Sequence, residues 1–230
     1  MKRFWKEVAV VREGDGFGIA LDDRPVRTPG RTPLAVPSEA LAEAIAEEWR
    51  SVGETIDPRA MPLTGLANAA IDRIAPDPDA FAAGLARYGE SDLLCYRAES
   101  PEPLVERQGA AWDPLLDWAR GRYDVHFETT AGVIHRPQPE ATLARLREAV
   151  THLGPFELAG LSPLVTVTGS LVAALALLEG AADADTVWQA SRIDDDWQAE
   201  QWGEDELARQ AAEARRADFD AGAQFLRLLG

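Results

Sequence analysis

Two periods of apolar and polar positions divide the chain. Near the amino terminus the spacing is that of strands. Glu7-Val8-Ala9-Val10-Val11 and Phe17-Gly18-Ile19-Ala20-Leu21 flank Glu13-Gly14-Asp15-Gly16, a turn-rich connector that predicts a hairpin. Asp22-Asp23-Arg24-Pro25 marks a second turn. Val26-Arg27-Thr28 and Pro33-Leu34-Ala35-Val36 predict short strands with prolines at their edges. Gly14, Gly16 and Gly18 lie between two strands, so they do not make a dinucleotide loop, which must open into a helix whose N-terminus takes the phosphates.

From Pro37 the period becomes helical. Ser38 is a good N-cap, and Leu41, Ile45, Trp49 and Val52 line one face before Gly53. A second helix is predicted over Leu63 to Ile74. A third follows Pro76-Asp77-Pro78-Asp79, with Phe81, Leu85 and Tyr88 on one side. Further helices fit Leu104 to Tyr123, Thr142 to Leu153, Pro163 to Leu178, Ala184 to about Glu200, and Glu204 to Leu228. Between them, Val125 to Thr129 and Val133 to His135 predict a short hairpin bent at Gly132. Segregated strands and helices imply an α+β fold. A small β-rich or mixed α/β domain over residues 1–60 is followed by a larger helical bundle over 61–230.

Leu158 to Leu178 carries no charge and is about as long as a membrane span. Ser162, Pro163, Thr166, Thr168, Gly169 and Ser170 dilute it, and Glu157 and Glu179 flank it without a basic cluster. A buried core helix is the better reading, with no membrane insertion.

Composition then narrows function. Apolar content of 46% and charged content of 27% over 230 residues suit a folded protein. A net charge of −16 argues against nucleic acid or an anionic membrane as main partner. Cys95 is the one cysteine, so the chain has no internal disulfide and no cysteine-rich metal cluster. It sits in Leu93-Leu94-Cys95-Tyr96, a setting for a small buried residue rather than an activated thiolate.

No catalytic set emerges. Thr168-Gly169-Ser170-Leu171 lacks the second glycine of a nucleophile elbow, and no phosphate-binding Gly-Lys loop is present. His126, His135 and His152 lack metal-ligand spacing, although the first two could meet across the predicted hairpin. Asp194-Asp195-Asp196 is the most tempting metal or acid–base cluster. Successive helical residues point about 100° apart, so three in a row do not converge on one ion. No metal, cofactor or small-molecule substrate is implied. Residues 191–220 hold ten acids against four arginines, interleaved with Trp197 and Trp202. Aromatics beside charge are typical interface anchors.

Several stretches, in order, carry a family resemblance. They are Arg3-Phe4-Trp5, Leu21-Asp22-Asp23-Arg24-Pro25-Val26-Arg27-Thr28-Pro29, Ile45-Ala46-Glu47-Glu48-Trp49 and Ile56-Asp57-Pro58-Arg59-Ala60-Met61-Pro62-Leu63-Thr64. Ala70-Ile71-Asp72, Ser91-Asp92-Leu93-Leu94-Cys95-Tyr96-Arg97, Arg107-Gln108, Trp112-Asp113-Pro114 and Thr168-Gly169-Ser170 follow. The last is Trp197-Gln198-Ala199-Glu200-Gln201-Trp202-Gly203-Glu204-Asp205-Glu206. The series resembles the assembly chaperones of F-type ATP synthase that handle the α subunit.

The resemblance implies a mixed α/β amino-terminal domain joined to an orthogonal helical bundle. It also implies a chaperone that binds the unassembled α subunit and shields its β-contacting surface. The family's functional acid in a Trp-Gly-x-x-Glu segment falls on Glu206, with Trp202 and Gly203 setting the register. Glu204, Asp205, Glu200 and Trp197 are expected beside it in the partner-binding surface. Gly65 stands where relatives are expected to carry a basic residue. The chain shows no mitochondrial leader, so a bacterial cytoplasmic member is expected. The competing reading is a small-molecule enzyme using Asp194, Asp195 and Glu200 as acid–base groups.

Overall fold

Alternation in the amino-terminal segment sets β1 (Val8–Glu13) against β2 (Gly16–Leu21), antiparallel from Val8 opposite Leu21 to Glu13 opposite Gly16. In this computed structural model, which describes residues 2–132, 135–203 and 205–230, the two strands are closed by a Gly14-Asp15 turn with Gly14 at φ +59°. β3 (Arg24–Pro25) and β4 (Ala35–Val36) pair antiparallel with β2, making it the central strand. Ile19, Ala20 and Leu21 are buried. Onto this sheet packs α1 (Glu39–Arg50) through Leu41, Ala42, Ile45, Ala46 and Trp49. As expected, Ser38 caps α1, accepting from the Leu41 amide at 3.0 Å.

α2 (Pro62–Ala69) runs into a wider π turn over Ala70–Ile74, so the predicted helix from Leu63 to Ile74 has a bulged second half. Met61 at its start offers no capping side chain. Glu48 of α1 supplies the cap instead, accepting from the amides of Leu63 (2.7 Å) and Thr64 (2.8 Å) and from the Thr64 hydroxyl (2.6 Å). Its carboxyl pKa is raised, because partial burial outweighs those donors. Asp72 likewise ties the loop after β3, accepting from the Thr28 hydroxyl and the Gly30 amide, each at 2.7 Å.

By its internal contacts the chain forms two compact units. One runs to Pro78 and takes in Gly154–Gly160 and Gln224–Gly230; the other comprises Asp79–Leu153 and Leu161–Ala223. Residues 61–78 and two later segments group with residues 1–60 in the first of these units. The reason is packing. α2 hangs on the Glu48 cap of α1, and Gly160 lies against Phe225 and Leu226 so closely that a Cβ there would sit 2.7 Å from Leu226.

The second unit begins with α3 (Pro78–Ala86) and is built on α4 (Glu102–Tyr123). Leu104, Gln108, Trp112, Leu115, Leu116 and Ala119 of α4 form a buried stripe. Against it pack α7 (Leu171–Leu178) and α8 (Ala184–Trp202). The Trp112 indole donates to the Ala190 carbonyl at 2.7 Å. The apolar stretch expected as one helix from Pro163 to Leu178 is two helices. α6 (Pro155–Thr168) contains Pro163, then Gly169 at φ +67° turns the chain and Ser170 caps α7. Leu171 to Ala176 are all buried, and no described helix is long and apolar enough to cross a membrane.

The predicted 125–135 hairpin is not the pairing observed. β6 (Thr130–Ala131) pairs in parallel with β5 (Tyr96–Arg97), because the partner strand lies in the earlier motif Leu93 to Arg97. Gly132 bends as expected, with φ +80°, while Val133 and Ile134 lie outside the described residues. His126 and His135 therefore do not meet. His135 bonds the Tyr96 hydroxyl at 2.7 Å, and His126 approaches Glu128 at 3.5 Å. α5 (Glu140–Thr151) and α9 (Glu206–Leu229) complete the helices, giving the α+β class expected.

Candidate partner-binding site

Most of the motif residues that carry the resemblance serve the fold. Asp92 is fully buried, accepting from the Leu94 amide at 3.1 Å and the Val172 amide at 3.0 Å, so it joins a short turn to the start of α7. Burial pushes its carboxyl up to about 6. Cys95 is also buried and its thiol is pushed up to about 12, an inert setting. Arg97 donates to the Leu94 carbonyl at 3.0 Å and pairs with Asp113 at 2.7 Å. Gln108 accepts from the Ala98 amide at 2.8 Å and donates to Asp194 at 2.6 Å.

The aspartate triplet is thereby dispersed. Asp194 binds Gln108, whereas Asp195 and Asp196 pair with Arg192 along α8 at 2.6 and 3.2 Å. Glu200 pairs instead with Arg107 at 2.8 Å. The three carboxylates of the competing acid–base reading thus face three different partners.

The acidic–aromatic segment is different in kind. α8 ends at Trp202, Gly203 reverses the chain at φ +82°, and α9 starts at Glu206. Trp202 is 78% exposed and Leu207 is 76% exposed. Four large apolar side chains among the described residues are exposed, and the two most exposed of them flank this turn. Asp205 caps α9, accepting from the Ala208 amide at 2.8 Å. Glu206 follows in the first turn, where an acid suits the helix dipole. It is exposed, and its carboxyl is held low by the Arg209 guanidinium, at 2.7 and 2.8 Å, and by Gln210 at 2.6 Å.

Of the residues expected in the partner surface, Trp202, Asp205 and Glu206 gather at this turn. Glu200 and Trp197 lie about half a turn and one and a half turns back from Trp202 on α8, where Arg107 is held between the Glu200 carboxylate and the Trp197 ring, 4.9 Å from its centroid. Glu204 lies outside the described residues. Ala208, Ala211 and Arg215 also face this region and carried no signal in the sequence, since alanines on a helix look like filler. Between α8 and α9 lies an open groove of about 420 Å³ lined by Arg192, Asp195, Ala199, Trp202, Ala208 and Ala211, among others.

The turn thus combines an exposed indole with carboxylates that are spent on separate ion pairs rather than converging on one point. Residues 2–120 match the family of the ATP12 chaperone protein. The fold superposes on Atp12 from Paracoccus denitrificans with a TM-score of 0.95 and 49% identity, covering 100% of this chain and 98% of that one. The Atu1473 protein of Agrobacterium tumefaciens is similar at a TM-score of 0.94 and 42% identity, over 100% of this chain and 86% of that one. Mitochondrial protein atp12 of Schizosaccharomyces pombe is 26% identical over 221 residues, spanning 91% of this chain and 76% of that protein. The chain belongs to the ATP12 chaperone family, a family of ATP synthase assembly chaperones.

Proposed function

We propose that this chain binds the unassembled α subunit of F-type ATP synthase in the bacterial cytoplasm and covers its β-contacting surface until assembly. Family membership supports an assembly role, and the surface at the α8–α9 turn supports a protein client. The observation that carries the reading is Trp202, an indole left 78% exposed between acidic residues. Trp buried at interfaces dominates binding energy, so an indole kept in solvent marks a contact waiting for its partner.

Glu206, Trp202, Asp205, Glu204, Glu200 and Trp197 form or border the contact surface. Co-expression with the α subunit should raise soluble α and yield a co-eluting complex. Glu206→Lys should abolish co-elution while the variant alone keeps its helical circular-dichroism signal. Separate elution with unchanged α solubility would contradict the proposal. Loss of helicity in the variant would show instead that Glu206 supports α9.

A further inference from the structure

α8 changes character along its length. Val187 and Ala190 are its buried residues, and Trp188 packs on Phe219 of α9 with ring centroids 5.6 Å apart. From Ser191 to Trp202 no residue of the helix is buried. Apolar packing is thus strongest in the first part of α8. The later turns, which carry Trp202, lean on polar contacts.

α4 supplies those contacts as a series of rungs. The Trp112 indole donates to the Ala190 carbonyl at 2.7 Å, and Gln108 donates to Asp194 at 2.6 Å. Gln108 and Trp112 stand four apart on α4, as Ala190 and Asp194 do on α8, so the rungs follow one face of each helix. Arg107 makes the outermost rung. Its Nη1 donates to both Glu200 oxygens at 2.8 Å, and its guanidinium lies 4.9 Å from the Trp197 ring centroid. Trp197 and Glu200 are three residues apart and share a helix face, so one guanidinium grips both. Its neighbour Gln108 is buried and accepts from the Ala98 amide at 2.8 Å, which fixes this part of α4. Among the described residues, every hydrogen bond, ion pair and ring contact that joins residues 196–202 to another helix comes from Arg107.

We propose that Arg107 is a positioning residue for the client surface: by gripping Glu200 and Trp197 it fixes the last turns of α8 and with them the direction of Trp202. Glu200 and Trp197 then serve the client through Arg107 rather than by touching it. The inference rests on the reading of Trp202 as a client contact, and it separates the residues that meet the client from those that hold them in place. An ion pair this exposed, with side chains 48% and 50% accessible, adds little to global stability. Its effect is local, because it sets how often the end of α8 opens.

A charge swap tests this in two ways. Arg107→Glu and Glu200→Arg each place like charges on the rung, and the double variant restores an opposite pair. In the chain alone, amide hydrogen exchange over residues 196–203 should rise about fivefold or more in each single variant and return toward the parent in the double. Amides from Trp112 to Ala119 should stay protected, and melting temperatures should stay within about 4 °C of the parent. Titration with the α subunit should follow the same pattern, with affinity lowered about fivefold or more in each single variant and recovered in the double. A double variant that binds as weakly as Glu200→Arg would show Glu200 touching the client and overturn the proposal. So would single variants that exchange or bind like the parent, or whose melting temperature falls along with affinity. If α binds the parent but exchange at residues 196–203 ignores the swap, the positioning role fails while the client reading stands. If α binds no form but exchange follows the swap, the client reading fails while the hold of Arg107 on α8 stands.

Discussion

Glu48 shows how one carboxylate can start an element remote from it in sequence. Its two oxygens take three donors at the head of α2, within 2.8 Å. Glu48→Ala leaves two partly buried amides unmet and should cost about 1–3 kcal/mol, read as a lower denaturant midpoint with an unchanged slope. Asp92 makes a pH prediction. Burial raises its native pKa to about 6 from an ordinary 3.8, so the native state binds its proton more tightly than the unfolded chain. The group's contribution is full below about pH 4 and is lost as pH rises through about 6. Wild-type stability should therefore carry a descending component across that window, on the order of 2–3 kcal/mol. Asp92→Asn cannot titrate, so its stability curve should be flatter between pH 4 and 6. A curve parallel to wild type would show that Asp92 does not titrate there.

Elements were legible from the sequence where their signals were local. Ser38 announces α1 because a cap and its helix are neighbours in the chain, and Gly14-Asp15 announces the hairpin for the same reason. The break at Gly169 was missed because uncharged Leu158 to Leu178 masks it, and an internal Pro163 drew the helix start to the wrong place. The β5–β6 pair was missed because its strands are two residues long and more than thirty residues apart. At the candidate site, Trp202 and Glu206 were legible through family resemblance, while Ala208 and Ala211 were not, because what they contribute is empty space. Gly160 gives a prediction at this scale. A Cβ would stand 2.7 Å from Leu226 and 3.1 Å from Phe225, so Gly160→Ala should overpack this contact and cost about 1–3 kcal/mol. Leu226→Ala should relieve the strain in a Gly160→Ala background, giving a favourable coupling in a double-mutant cycle.

For the whole molecule, the distribution of charge is the feature that fits a holding function. A net charge of −16 opposes self-association through like-charge repulsion. The acidic α8–α9 turn carries exposed Trp202 and Leu207, and on the proposed reading this is the face that meets the client. Electrostatic attraction of this kind acts mainly on encounter, so raising salt should slow association with the client more than it speeds dissociation. Stopped-flow mixing at two ionic strengths reads this directly. A salt-independent association rate would show that the acidic face plays no part in capture.

The most direct test of the account is to mix the purified chain with unassembled α subunit, follow the complex by size-exclusion chromatography with light scattering, and then add β subunit. The account predicts a discrete complex of chaperone and α that β dissolves, releasing free chaperone as α and β assemble. A chaperone peak that never shifts with α, or a complex that β joins without displacing the chaperone, would contradict it.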